Sequence, residues 1–288
     1  MPVPAPRREL AAVCLAYVAA LLVALAIAWA LRGHGSVLAA ALADVAATLV
    51  VFCFSVRHDN SSVYDPYWSV APIFIASGWA VGARGGARAV VVCVLIAVWG
   101  IRLTANWVGR WRGFADEDFR YAEIRARTGR LYWPVSLLTV HLLPTAWVFL
   151  GLLAVWPALA SDGPATNAVD AVAFVVTVGG IAIETVADRQ LRTFLRARRD
   201  PSAVLETGLW RLSRHPNYFG EITFWWGLWL FGLAADPGRV WTVVGPLSIT
   251  LLFVLVSIPW MERRMLSRHP AWARRTSTSA LVPWPRRG

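Results

Sequence analysis

Apolar stretches long enough to cross a bilayer follow one another along almost the whole chain, at roughly 10–31, 37–56, 67–83, 88–107, 133–156, 167–189, 217–235 and 240–260. A bilayer offers no water to backbone amides, so only helices and closed barrels can span it. Barrel strands alternate apolar with polar residues, and these runs are continuous. The expectation is therefore an all-α, polytopic integral membrane protein with about eight transmembrane helices. Composition agrees: 57% of residues are hydrophobic and 16% charged, against about half and about a quarter in soluble domains.

Every basic side chain is arginine, and the formal net charge is +11. In a soluble chain that excess would suggest nucleic acid, but no nucleic-acid motif is present. Here the arginines read as orientation signals. With the N-terminus placed in the cytoplasm, only Arg32, Arg84, Arg88 and Arg239 of the 28 fall on the far side, which gives a bacterial-type inner-membrane protein with both termini cytoplasmic. The N-terminal apolar run, despite "AWA" at 28–30, reads as an uncleaved first span, being longer than a signal-peptide core. Cys14, Cys53 and Cys93 all lie inside apolar runs, as packing residues. The five histidines show no metal-ligand spacing, so no metal is expected. There is no internal repeat and no soluble domain.

Polar chemistry gathers where spans meet the inner side. In "GLWRLSRHPNYFGEITFWWGLWLFG", Gly208 to Gly232, Pro216 suits the first position of a helix, with Ser213 or His215 near its cap. The free N–H groups there favour an anion, and Arg211 and Arg214 add charge with bidentate phosphate geometry. As ordinary interfacial residues these arginines would need no ligand. Glu221 is harder to dismiss, because a carboxylate inside a span costs on the order of 2.5–3.5 kcal/mol and usually faces a partner or cavity. It shares a helix face with Asn217, four residues back. Glu184, Asp188 and Arg192 form a second stripe at the same spacing, suggesting a polar pocket shared by the sixth and seventh spans. "SVYDPYWSVAP" sets Asp65 between Tyr64 and Tyr67 at a span entry, and Pro66 and Pro72 there suggest an irregular or broken start. A buried Asp of this kind can donate a hydrogen bond to a carbonyl; aromatic-belt tyrosines and a capping Asp are the plainer reading. Arg102 and Asn106 stand one turn apart at the inner end of the fourth span. Gly109–Trp133 has helical spacing, and Arg125, Arg127 and Arg130 read as a solvated helix face.

Taken together, "GLWRLSRHPNYFGE", the upstream "ETVADRQLRTF" and the closing "TSALVPWP" resemble the steroid 5-alpha-reductase C-terminal domain superfamily, in its bacterial membrane branch, over roughly residues 60–285. The resemblance implies a seven-helix core within 37–288, with residues 1–36 as an additional transmembrane helix. It implies reduction of a conjugated C=C bond in a lipophilic, steroid-, isoprenoid- or lipid-like substrate by NADPH bound from the cytoplasmic side. Asn217 and Glu221 match cofactor-contacting residues. Glu184 takes the place of an Asn, Asp188 matches the Asp that follows it, and Arg102 matches a cofactor-contacting arginine. Asn106, Arg192, Arg211, Arg214, His215 and Tyr218 complete the expected cofactor set, with Arg263 marking the C-terminal nucleotide-binding segment. Asp65 stands where the steroid enzymes hold the substrate carbonyl with a Glu. The partner Tyr expected on the next span is Trp99, so Tyr64 or Tyr67 is left to serve.

The alternative is an S-adenosylmethionine-dependent methyltransferase of the isoprenylcysteine methyltransferase-like type, which shares an Arg-His-Pro-x-Tyr-x-Gly segment. A transporter is disfavoured by the lack of inverted repeats. The expected partners are a lipophilic small molecule and membrane lipids, with no nucleic acid and no obligate protein partner.

Overall fold

The computed structural model describes residues 7–83, 86–160, 165–200 and 202–283; Arg84 and the end of "VPWP" lie outside them. Among the described residues the regular structure is all helical, and the chain divides into two compact units, residues 1–162 and 163–288.

In the first unit α1 (Arg7–Ala30) and α2 (Ser36–Arg57) run into a buried irregular stretch, followed by α3 (Tyr67–Gly82) and α4 (Ala87–Val108). Asp59 takes a left-handed backbone, φ 49°, which reverses the chain after α2. Asn60 then caps a short 3-10 turn, Ser61–Val63, by accepting from the Ser62 N–H at 2.7 Å. From Asn60 to Tyr64 every side chain is buried. Buried backbone without helical bonding needs other partners, and the segment 109–118 supplies them. Asn60 Nδ2 donates to the Phe114 carbonyl at 2.8 Å, the Asp118 N–H donates to Ser62 Oγ at 2.9 Å, and the Phe114 N–H donates to Glu9 of α1 at 2.5 Å. The segment expected to be helical over 109–133 is therefore irregular as far as Asp118, because its backbone groups are used to hold another loop. Helix α5 covers only Phe119–Thr128.

Pro72 does not break α3. The helix runs through it from Tyr67, and the irregularity ends at Pro66. The fifth span is made of α6 (Tyr132–Ser136), a π-helical turn (Leu137–Leu142) and α7 (Leu143–Ala160). The core of this unit joins Val13, Ala16 and Ala20 of α1 to Ala47 and Val51 of α2, and to Tyr64, Tyr67 and Trp111.

The second unit opens with α8 (Ala168–Ala197), started by an Asn167–Asp170 capping box. Its 30 residues span about 45 Å at 1.5 Å each, so one helix carries the stripe from Glu184 to Arg192. After α9 (Leu209–Leu212) comes α10 (Pro216–Ala235), with Pro216 at its first position. The Asp236 turn follows, then α11 (Val244–Leu252), a π-helical turn (Phe253–Ser257) and α12 (Ile258–Arg268). The glycines of α10 let it approach α8 closely. A Cβ on Gly220 would lie 2.7 Å from both the Cβ and the backbone N of Glu184, and one on Gly227 would lie 2.7 Å from the Thr177 backbone N.

Among the described residues six helices are long and apolar enough to cross a membrane: Arg7–Ala30, Ser36–Arg57, Ala87–Val108, Phe119–Ala160, Ala168–Ala197 and Pro237–Arg268. The third and seventh expected spans are helical too. The third has only 16 residues, since its entry lies in the buried loop, and the seventh is diluted by Trp225, Trp226, Trp229 and Glu221.

Candidate functional site

Asp65 of the first unit closes the buried loop just before α3. Its Oδ1 accepts a 2.6 Å hydrogen bond from the phenol of Tyr121 on α5. Burial pushes its pKa up to about 6, and the neighbouring charge of Asp118 adds to the rise. The Tyr121 and Ser62 hydrogen bonds and Arg120 oppose it. Arg120 itself is held by Asp118 through Nε at 2.8 Å.

The two tyrosines expected beside this acid turn elsewhere. The Tyr64 hydroxyl lies 2.7 Å from Thr145 Oγ1, and the Tyr67 hydroxyl donates to Asp44 Oδ1 at 2.7 Å. Reaching from a buried loop, their phenols meet the polar groups of neighbouring spans. Trp99, in place of the expected Tyr, is fully buried with its ring 6.2 Å from that of Trp68. The phenol at Asp65 comes from a helix that the spacing read as a solvated face. Arg102 and Asn106 are half-buried, one turn apart at the end of α4. Arg125 is likewise more than a solvated residue: it pairs with Asp59 at 2.8 Å and lies over the Tyr132 ring at 3.9 Å.

In the second unit the tight α8–α10 contact sets Glu184, 5% exposed, against Gly220, the residue before Glu221, itself 4% exposed. Glu221 accepts from Trp225 Nε1 at 2.8 Å. One turn back, Asn217 Oδ1 is buried with no hydrogen-bond donor among the described residues. Asp188 and Arg192 continue the stripe, half-buried, while Arg211 and Arg263 are exposed.

Arg214 and His215 are held by a carboxylate that the sequence reading passed over. Glu262 Oε1 accepts from Arg214 Nε and meets His215 Nε2, both at 2.7 Å, and Oε2 accepts from Trp272 Nε1 at 2.9 Å. Arg214 also donates to the Thr278 carbonyl at 2.5 Å. Arg275, 1% exposed, donates to the carbonyls of Leu205, Trp210 and Ser213 and lies over Trp272. The tail thus clasps the start of α10. Ser213 serves the clasp as well, accepting from the His215 N–H at 3.1 Å and donating to the Leu281 carbonyl at 2.8 Å. The Tyr218 ring stacks on His215 at 5.2 Å. Glu262 carried a readable signal, as the sole acidic residue after Asp236.

The model of a family described as a protein of unknown function, DUF1295, matches residues 51–276. An uncharacterized protein of the fission yeast Schizosaccharomyces pombe is 26% identical over 235 residues, covering 71% of this chain and 67% of the relative. No solved structure matches.

Proposed function

The chain belongs to the DUF1295 family, and from its own residues we propose that it is an NADPH-dependent membrane reductase acting on a conjugated carbon–carbon double bond in a lipophilic substrate. The observation that carries this reading is the α8–α10 seam. It holds two buried carboxyl groups, Glu184 and Glu221, and the open acceptor Asn217 Oδ1. An acceptor short of a donor fits an N–H of a carboxamide such as that of nicotinamide. Asn217, Glu221 and Glu184, with Asp188 and Tyr218, would hold that end of the cofactor. Arg192, Arg211 and Arg263 of the same unit are the candidates for its phosphates and ribose. When bound, the nicotinamide supplies hydride.

Asp65 has the role of holding the substrate carbonyl, with Tyr121 in place of Tyr64 or Tyr67. A carboxyl group raised to about 6 is half protonated at that pH and can then donate a hydrogen bond to an oxygen. The resemblance of "RHPNYFGE" and its flanking segments to the steroid 5-alpha-reductase superfamily supports the same chemistry. The arginine distribution supports an inner-membrane location with both ends of the chain in the cytoplasm.

One observation favours a second reading. Because Arg214 and His215 are engaged by Glu262, fewer cations remain for a phosphorylated cofactor than the sequence suggests. S-adenosylmethionine, which has no phosphate, would suit that arrangement, and the activity would then be methyl transfer. Titrating the detergent-purified protein with NADPH, NADH and S-adenosylmethionine separates the two, since a ligand of the folded state raises apparent thermal stability. NADPH binding tighter than NADH is the expected result. Stabilisation by S-adenosylmethionine alone would overturn the reductase reading.

A further inference from the structure

Three separate stretches of the first unit bring five arginines to one end of it, and among the described residues none of the five is paired with an acid. Arg7 and Arg8 open α1, Arg57 closes α2, and Arg110 and Arg112 follow α4; all five are exposed. The stretches meet at Phe114, two residues beyond Arg112. Its N–H donates at 2.5 Å to Glu9, the residue after Arg8. Its ring stacks on that of His58, the residue after Arg57, with 4.2 Å between centroids. His58 senses both sides of the junction. Burial first, and then the Arg57 charge, hold its pKa below the ordinary imidazole value, while Glu9 opposes them.

The acids nearby are committed elsewhere. Glu9 takes the Phe114 N–H, Asp59 holds Arg125, Glu117 takes the Ser61 N–H, and Asp118 holds Arg120. Exposed Asp116 is the acid left over. Arg110 Nε donates to the Asn106 carbonyl at 3.2 Å, which neutralises no charge. Like charges gathered in this way repel one another unless an anion lies among them.

The chain beneath the arginines indicates which anion. Leu15 and Leu22 follow Arg8 at intervals of seven residues along α1, so the three share a face, and both leucines are exposed. Cys53 and Leu49 precede Arg57 at intervals of four along α2 and are exposed as well. Cations at the head of aliphatic stripes match a molecule with an anionic head and apolar chains. A free phosphate or a nucleotide would leave the stripes without a use.

We propose that this end of the first unit binds an anionic phospholipid, the arginines holding its phosphate and the α1 and α2 stripes taking its acyl chains. The site does not rest on the reductase reading. Guanidinium groups meet phosphate oxygens through paired N–H donors, and each basic residue near an anionic lipid surface strengthens binding about fivefold.

The full chain, purified in a neutral detergent, is titrated separately with phosphatidylglycerol, phosphatidylcholine and inorganic phosphate. The thermal midpoint is followed, and bound lipids are counted by native mass spectrometry. Phosphatidylglycerol should raise the midpoint saturably and stay bound, and the other two should do neither. A variant combining Arg8→Gln, Arg57→Gln and Arg112→Gln should bind phosphatidylglycerol roughly 100-fold more weakly. Its midpoint before lipid is added should match the parent's, because exposed arginines without partners add little to stability. The three single variants should each lose about fivefold, which keeps the test readable if the combined variant fails to fold. Arg196→Gln, Arg199→Gln and Arg268→Gln together remove the same charge from exposed positions of the second unit and should leave the titration as in the parent. Equal stabilisation by phosphatidylcholine, an equal loss in the second-unit variant, or no loss in the single variants overturns the proposal and leaves the arginines as orientation signals. Stabilisation by inorganic phosphate alone also overturns it, by assigning the patch to a soluble anion.

Discussion

Two segments enter spans through a proline, one at Pro66 and the other at Pro216, and they place their charged groups differently. The loop before Pro66 is tied down by hydroxyls of Ser61, Ser62 and Tyr132, the Asn60 amide and backbone carbonyls, together with Glu117, which accepts from the Ser61 N–H at 2.8 Å, and the Asp59–Arg125 pair. The loop before Pro216 is tied down by charge, with Glu262 holding Arg214 and His215 while Arg275 gathers three carbonyls. Removing a charge from water is far more costly than removing a hydroxyl, unless a partner compensates for it. In the first loop the ion pair lies toward the surface, with Asp59 and Arg125 at 76% and 32% side-chain exposure, while the buried positions use hydroxyls and an amide. In the second the pair itself is buried, Arg214 and Glu262 having 13% and 15% of their side chains exposed.

The sharpest way to break the contrast is to remove the charge from the second clasp. Glu262→Ala leaves Arg214 and His215, with 13% and 4% of their side chains exposed, without their carboxylate. Removing one partner of a buried pair costs about 3–5 kcal/mol, and the expected result is a large fall in the thermal midpoint of the purified protein. A fall no larger than that of an exposed pair, such as Arg127→Ala, would show that the clasp is ornamental. A change of smaller size is Gly220→Ala. Its Cβ would meet the Glu184 Cβ and backbone N at 2.7 Å, so α8 must move away, at about 1–3 kcal/mol. If the seam holds the cofactor, NADPH affinity in a fluorescence titration should fall about tenfold, which corresponds to about 1.4 kcal/mol.

The third test concerns pH. The Asp65 pKa rises from 3.8 to about 6 on folding, so between those values the folded protein binds more protons than the unfolded chain. Stability from this group is therefore present at low pH and declines as pH rises from about 4 to 6, by about 2–3 kcal/mol in all. Denaturant titrations across that range should show the decline in the parent and its absence in Asp65→Asn. The smallest effect belongs to Tyr121→Phe. Losing one donor to Asp65 should cost about 1 kcal/mol and raise the Asp65 midpoint further, because that hydrogen bond opposes the rise.

The residues that the sequence singles out and the structure buries are those whose signal is local. Glu184 and Glu221 stand out because each interrupts an apolar run, and Pro216 marks a helix start whatever it packs against. Asp44 bears the same signature in α2 and was readable by the same argument. Tyr121 carries no such mark. It lies in a polar amphipathic helix, and its pairing with Asp65 depends on a contact 56 residues away in sequence. Nor does any local pattern announce that Arg214 donates its Nε to Glu262, 48 residues on.

What the amino-acid order settles by itself is the solvent the chain must inhabit, and hence its all-helical, many-span architecture. Length, apolarity and helix-start residues act within a few turns, and a bilayer leaves the backbone no alternative but to satisfy itself locally. Which phenol faces which carboxyl group is decided by tertiary packing. The close α8–α10 approach at Gly220, the left-handed turn at Asp59 and the buried loop behind it choose among several hydroxyls and arginines of nearly equal chemistry. Side-chain hydrogen bonds reach about 3 Å, so a displacement too small to read in any sequence pattern determines the partner.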